Sequence, residues 1–296
     1  MSISISRDAL MERVSGGDRL SSDDIRELAA TPDILSLGML ADVVRRRLHQ
    51  TKTTFLRVAE CEFDTPVIDA AHVKAQEIRL TGSPAQLADL LRVVETIKSK
   101  GTRTISALTW SDVERLAGSN DIGDVLKQLR GAGLDSLSVL PLDGPADIAT
   151  MVDRLASAGF THLRLTVDKA PTDARATLLL RAGELQDRYG CIQAINPLPM
   201  TLATFRPTTG YDDVKMVAIA RLAAPNIPTV QVDWQRYGPK LAQVALTFGA
   251  DDIDGVSASD EAPEGRRRAP LEEIRRNIEA AGFEAVERTG RYTAIA

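Results

Sequence analysis

The run Asp233-Trp234-Gln235-Arg236 sets a carboxylate, an indole, an amide and a guanidinium side by side. A β-branched stretch, "TVQV", precedes it and a helical pattern follows, so these side chains fall where a strand hands over to a helix. The unpaired N–H groups and positive dipole end of a helix start suit that place to a carboxylate or phosphate. Trp234 offers a face for a purine or an aromatic acid. The competing account makes Trp234 a core residue and pairs Arg236 with a nearby acid. Asp251, Asp252 and Asp254 raise magnesium, which takes one or two carboxylates plus a phosphate and keeps its waters. A turn after Gly249 explains Asp251 and Asp252 better, and Asp254 reads as an acceptor for a ligand hydroxyl. With Asn196, near the end of "CIQAINPL", the ligand-binding candidates are Asn196, Asp233, Trp234, Gln235, Arg236 and Asp254; no metal ligand and no catalytic residue is assigned.

The thiols and imidazoles carry less. The chain has 2 cysteines, Cys61 and Cys191, with no cysteine–histidine motif around either, which excludes a zinc finger built by this chain. Glu60 and Glu62 flank Cys61, and anionic neighbours raise a thiol pKa, so Cys61 reads as core or pocket lining and not as an activated nucleophile. Cys191 opens an apolar run and reads as a small buried residue. His49, His72 and His162 occupy unrelated positions; His49 ends an arginine-rich helix as a cap or a solvent-facing residue, and no nucleophile motif surrounds any of them. The runs "RRRLH" and "GRRRAP" read as solvated surface.

Composition sets the outer limits. The 296 residues are 44% hydrophobic and 26% charged, enough for a packed core in one large domain or two small ones. A net charge of −5 argues against a nucleic-acid surface. No apolar run reaches membrane-spanning length, and "MSISISRDALMERVSGGDRL" lacks an apolar signal core, so a cytoplasmic location is expected.

The elements that must position these residues alternate. Strand-like runs fall at 54–59, 77–81, 104–108, 136–142, 162–167, 191–198, 229–233 and 252–257, with amphipathic helical patterns between them. Ser83-Pro84 marks a helix start with a stop near Gly101, Ser111 and Glu114 have capping-box spacing, and Thr172 opens a helix that Gly190 ends. Gly249 and Gly282 close two more helices. Strand–helix alternation of this length fits a (β/α) barrel of the TIM type with eight parallel strands; an open doubly wound sheet competes, but no glycine-rich dinucleotide fingerprint follows the first strand. The organisation expected is an N-terminal helical extension over 1–50, a barrel over 51–258, and a mobile loop, helix and strand over 259–296 within the same domain. Two helices are expected in "RLSSDDIRELAATPDILSLGMLADVVRRRLHQ", packed across one end of the barrel through Ile34, Leu37, Leu40, Val44 and Leu48. Barrel function sits after the C-terminal ends of strands, which selects Glu62, Asp64, Thr109, Asp143, Asp168, Asn196, Asp233 to Arg236, and Asp254.

Two regions, about 19 to 50 and about 184 to 292, resemble a known family. "RLSSDDIRELAATPDILSLGMLADVVRRRLH", "ELQDRYGCIQAINPLPM", "PTTGYDDVKMVAIARLAAPNIP" and above all "YGPKLAQVALTFGADDIDG" look like the radical S-adenosylmethionine enzymes of futalosine-dependent menaquinone synthesis. The likeness is nearest to the aminofutalosine synthase type, with cyclic dehypoxanthine futalosine synthase and the deazaflavin-cofactor synthase subunits as relatives. The middle of the chain matches weakly, at "VLKQLRGAGLDSL" and in the strand rhythm. The resemblance implies a radical-enzyme barrel whose family cofactors are a 4Fe-4S cluster and S-adenosylmethionine.

The chain departs from that family at the cofactor loops. The family carries Cys-x3-Cys-x2-Cys after the first barrel strand, three thiolates that leave one iron open. Here the strand runs into "TTFLRVAECEFDTPVIDAAHV", with Phe63, Asp64, Thr65, Pro66 and Val67 at the loop position. The family's glycine-rich stretch after the second strand is reduced to "TGSP", the segment after the fourth is "VLPLDGP", and "TVDKAPTD" replaces a Gly-His-x-Glu feature after the fifth. No cofactor is therefore expected. Three readings remain: a cluster-free barrel that binds a nucleoside-like or aromatic acid ligand or supports an authentic menaquinone-pathway radical enzyme as a partner subunit; a barrel enzyme using acid/base chemistry; and a radical enzyme with cluster ligands from elsewhere. A homo-oligomer, a complex with that radical enzyme and a small-molecule ligand are the partners considered.

Overall fold

Nine short runs rich in Val, Ile, Leu and Thr lie side by side, each parallel to its neighbours. They are β1 (Lys52–Glu62), β2 (Glu77–Thr81), β3 (Thr104–Ala107), β4 (Ser136–Leu137), β5 (Leu140–Pro141), β6 (Leu163–Val167), β7 (Ile192–Pro197), β8 (Thr229–Asp233) and β9 (Asp252–Ser257). The structure, a computed structural model, describes residues 7–64, 74–101, 103–199, 209–259 and 270–295. The sheet order is β4-β3-β2-β1-β9-β8-β7-β6-β5. Its two ends are consecutive pieces of one stave. Ser138 N donates to Ala107 O and Leu108 O on one side, and Leu142 N donates to Thr166 O at 2.8 Å on the other, so the ring closes at this stave into an eight-stave barrel. A single strand was expected there; instead its first piece pairs with β3 and its second with β6.

Helices cover the outside. After α1 (Arg7–Gly16), α2 (Ser22–Ala30) and α3 (Ile34–His49) come α4 (Leu87–Ser99), α5 (Trp110–Ala117), α6 (Ile122–Ala132), α7 (Ile148–Ser157), α8 (Thr172–Tyr189), α9 (Gly210–Ala223), α10 (Trp234–Leu246) and α11 (Leu271–Ala280). Gly190 ends α8 in the left-handed region at φ 63, as expected. Two starts differ from the sequence reading. The helix expected from Ser83-Pro84 begins at Leu87 without a side-chain cap, because Ser83 Oγ instead donates to Asp112 at 3.0 Å. The capping box of α5 belongs to Thr109 and Asp112, not to Ser111 and Glu114; Glu114 accepts from the Trp110 indole at 2.7 Å. No described helix is long and apolar enough to cross a membrane.

The N-terminal segment forms three described helices, and α2 and α3 lie along α9 rather than across a barrel end. Every residue from Asp213 to Leu222 in α9 is consequently buried, between the barrel and this second layer. Leu37, Leu40 and Val44 of the expected stripe are buried, whereas Leu48 is exposed. The last turn of α3 reaches the N-terminal end of the barrel: His49 Nε2 meets Pro228 O at 2.8 Å and Arg45 donates to Ala250 O at 3.0 Å.

The C-terminal tail closes that same end. The strand β10 (Glu284–Glu287) pairs in parallel with the first half of β1, below the point at which β2 joins it. The tail then turns inward. Arg288 is buried and donates to Asp252 at 2.6 and 2.7 Å. Arg291 reaches Asp135 at 2.8 Å, and the Tyr292 ring lies under the Arg288 guanidinium, 3.9 Å to the ring centroid. Gly290 fits because it has no side chain: a Cβ there would stand 2.5 Å from the Cβ of Thr104. Most of the loop expected over 257–270 lies outside the described residues. Gly290→Val should therefore overpack the barrel floor and cost about 1–3 kcal/mol, read as a lower urea midpoint with an unchanged slope.

Candidate functional site

Strand alternation decides which side chains face the lumen. In "EIRLT" the apolar Ile78 and Leu80 point out to the helices, and Glu77 and Arg79 point in. Contacts between strands that are not neighbours confirm the sorting. Arg164 on β6 donates to Glu77 on β2 through both terminal nitrogens, each at 3.1 Å. Arg79 on β2 reaches Asp254 on β9 at 3.2 Å, and Arg164 lies 3.8 Å from the same carboxylate. Arg79 also donates to Glu77 at 3.0 Å, as does the Ser106 hydroxyl at 2.6 Å. Two carboxylates and two guanidiniums thus fill the middle of the barrel.

Burial alone would push the Glu77 carboxyl up, but Arg164 and Arg79 outweigh it and hold it below its ordinary range. Asp254 is likewise held low: burial opposes ionisation, and Arg79, Arg164 and Arg288 overcome it. Asp233, the Cα partner of Asp254 on β8, goes the other way. Burial and the charge of Asp254 raise its pKa, and the Arg236 N–H, Arg79 and Arg236 offset this only in part.

Around the mouth, loops are tied by side chains that reach across them. Asp143 accepts from the N–H groups of Asp168, Lys169 and Ala170, the last at 2.6 Å. Arg175 is buried and donates to the carbonyls of Ala170, Leu198 and Asp168 at 2.9, 2.6 and 3.0 Å. Tyr237 closes the next gap by donating to Pro197 O at 2.6 Å.

The structure separates the residues singled out from sequence. Asp233, Asp254 and Asn196 share the lumen side. Asn196 is buried, and its Oδ1 has no hydrogen-bond partner among the described residues. Arg236 stands on the rim, paired with Asp168 at 2.8 Å, with both side chains partly exposed. Asp233 accepts from the Arg236 N–H at 2.9 Å and caps α10. Gln235 ties the rim to Gly255 O at 3.5 Å. Trp234 has 0% of its surface exposed and belongs to the apolar core, so its faces are taken by packing and not offered to a ligand. Thr109 is a helix cap, and Asp64 lines a surface cavity against Asp89 and Arg92 of α4, outside the lumen. Glu62 is exposed at the end of β1.

The three aspartates weighed for magnesium do not converge. Asp251 pairs with Arg221 and lies 3.3 Å from His49 at the opposite end, Asp252 takes Arg288, and Asp254 takes Arg79. His49 is thus an anchor between α3 and the barrel, not a solvent-facing cap. Among the described residues no group of three histidine, cysteine or carboxylate side chains could hold a metal. Sequence reasoning passed over Glu77, Arg79 and Arg164. Their signal was present: charged residues at every second position of strands whose alternate residues are Ile and Leu.

The thiols do not fit an iron–sulfur cluster. Cys61 lies near the C-terminal end of β1, and Cys191 directly precedes β7. The strands are parallel, so the two thiols sit at opposite ends of the barrel, and both are buried. Burial pushes the Cys191 thiol up. A cluster held by three thiolates on one loop has no counterpart in these 2 cysteines.

A family profile described as the CofH/MqnC C-terminal region matches residues 200–295. The aminodeoxyfutalosine synthase of Thermus thermophilus is 28% identical, the match covering 97% of this chain and 95% of the relative. The cyclic dehypoxanthine futalosine synthase of Halalkalibacterium halodurans is 24% identical over 98% of this chain and 95% of its own. Among solved structures, methylornithine synthase superposes with a TM-score of 0.70 at 14% identity, covering 93% of this chain and 97% of that one. The FeFe-hydrogenase maturase of Carboxydothermus hydrogenoformans gives 0.69 at 12% identity, covering 97% and 80%. These structures share the fold.

Because Glu77 and Asp254 are held low, their contribution to stability is present above about pH 4, the unfolded carboxylate range, and is lost as the pH falls below it. Arg164→Met should cost about 3–5 kcal/mol at neutral pH by leaving buried carboxylates undercompensated. Urea unfolding at pH 7 and pH 3 checks this, with a smaller difference from wild type expected at pH 3, where a carboxylate that has lost its guanidinium can take up a proton.

Proposed function

We propose that this chain, a divergent homologue of the futalosine-pathway radical S-adenosylmethionine enzymes, acts as a cluster-free ligand-binding or partner subunit associated with that pathway. The donor set carries the reading: two buried thiols at opposite ends of a parallel barrel stand where the chemistry needs three on one loop. The lumen supports the binding half. It is lined by charged groups, its rim loops are tied by Asp143 and Arg175, and Asn196 offers an unused acceptor.

Anaerobic reconstitution with iron and sulfide should give no charge-transfer absorbance, and S-adenosylmethionine should not be cleaved under reducing conditions. A stable brown protein that cleaves it would overturn the reading and favour cluster ligands drawn from elsewhere. The partner role is checked by co-expression with an authentic aminodeoxyfutalosine synthase, which should yield one complex on size-exclusion chromatography; separate elution would leave ligand binding alone.

A second reading rests on Asp233 and Asp254. Neighbouring carboxylates whose environments push their pKa values apart are the usual makings of an acid and a base. A barrel enzyme acting on a nucleoside-like or aromatic acid substrate would use Asp233 as the proton carrier, and would show a pH–rate profile that Asp233→Asn abolishes.

A further inference from the structure

The lumen charges nearly balance, and the exception is at the mouth. Glu77 and Asp254 share Arg79 and Arg164. Asp252 takes Arg288, and Asp168 takes Arg236. Asp233 forms no ion pair among the described residues: it accepts from the Arg236 backbone N–H, while the guanidinium of Arg236 turns to Asp168. The residue as a whole is not fully buried.

A second group points the same way. Asn196 is 5% exposed and its Oδ1 lacks a partner. The strand register fixes its direction. Ala194 is the Cα partner of Arg164, and Asn196 that of Thr166. The Arg164 side chain crosses the lumen to Glu77, so the even-numbered residues of β6 and β7 face inward. Asn196 therefore faces the lumen nearer the mouth than Arg164. The parity of Asp233 is fixed in the same manner by its Cα partner Asp254, whose carboxylate meets Arg79 in the lumen. An unpaired carboxylate on β8 and an unused amide oxygen on the adjacent β7 leave two acceptors on the lumen side. A desolvated carboxylate gains most from a partner that brings both charge and N–H donors.

We infer that the barrel mouth takes a ligand bearing a protonated amine, with the Asp233 carboxylate as counter-ion and Asn196 Oδ1 as a hydrogen-bond acceptor; this rests on the ligand-binding reading above. The charged groups facing Asp233 are Asp254 from β9, Arg79 from β2, and Arg236 from α10, with Tyr237 beside it. Asp254 is held low and Arg79 and Tyr237 are raised, so none of these three titrates between pH 5 and 8. Asp233 is the group among them raised toward that range, by burial and by Asp254. A cationic ligand needs it ionised, so affinity rises as the pH climbs through the Asp233 pKa.

The test uses three probes of one shape, benzylamine, benzyl alcohol and benzoate, titrated into the full chain and followed by NMR shift perturbation. Benzylamine should bind about tenfold or more tighter than either analogue, equivalent to roughly 1.4 kcal/mol. Its affinity should increase with pH as Asp233 ionises, above the ordinary carboxyl range. Asp233→Asn, nearly isosteric, should remove both the preference and the pH dependence, and Asn196→Leu should weaken the amine several-fold. The wild-type pH profile keeps the inference falsifiable should a variant fold poorly. If benzyl alcohol or benzoate binds as well as benzylamine, or Asp233→Asn keeps the amine affinity, the amine assignment falls and ligand binding stands. If no probe binds, both fall.

Discussion

The ion-pair quartet of Glu77, Asp254, Arg79 and Arg164 is the constraint on which the rest of this barrel depends. Most barrels of this kind fill the lumen with layers of branched aliphatic side chains. Here charges take the middle layer, and a charge out of water is tolerable only when fully matched. The match runs across the lumen, from β2 to β6 and from β2 to β9. Each of these strands must therefore keep its register, since a one-residue slip would turn a guanidinium into the apolar layer under the helices. The hydroxyl of Ser106 completes the set from β3.

The two ends of the barrel follow from that centre. Below it, Asp252 is a further buried carboxylate, and the C-terminal tail supplies its guanidinium from Arg288. The tail is thus more than an appendage: it carries the charge that the floor of the barrel needs, and Gly290 lets it come close enough to deliver it. Above the centre, Asp143 and Arg175 hold rim loops through backbone groups. That leaves Asp233 and Asn196 with unmet capacity at the end of the barrel where function is found. The floor carboxylate Asp252 is satisfied by the protein's own chain, whereas Asp233 and Asn196 toward the mouth keep unused capacity.

Legibility in the sequence was uneven, for physical reasons. The eight staves were readable because β-branched runs and helix stops are local signals. The fourth stave pairs with β3 through its first half and with β6 through its second, a division that periodicity does not register. Helix starts slipped where two capping residues competed, as Ser83 and Thr109 did for Asp112. Leu37 and Leu40 were correctly read as buried, but a stripe of apolar residues does not name its partner, and α9 proved to be the surface beneath them. Of "DWQR", the aspartate faces the lumen, the arginine stands on the rim, and the tryptophan, chemically the most suggestive, packs in the core.

By itself the sequence determined the alternation of strands and helices, the absence of a third thiol, and the family resemblance carried by "YGPKLAQVALTFGADDIDG". Each is a property of composition or of near neighbours along the chain. The tertiary structure alone decided which carboxylate has which guanidinium. Partners such as Glu77 and Arg164, or Asp252 and Arg288, are remote in sequence and meet only because the barrel closes. The acid left over, Asp233, could be recognised only after every other pairing was known.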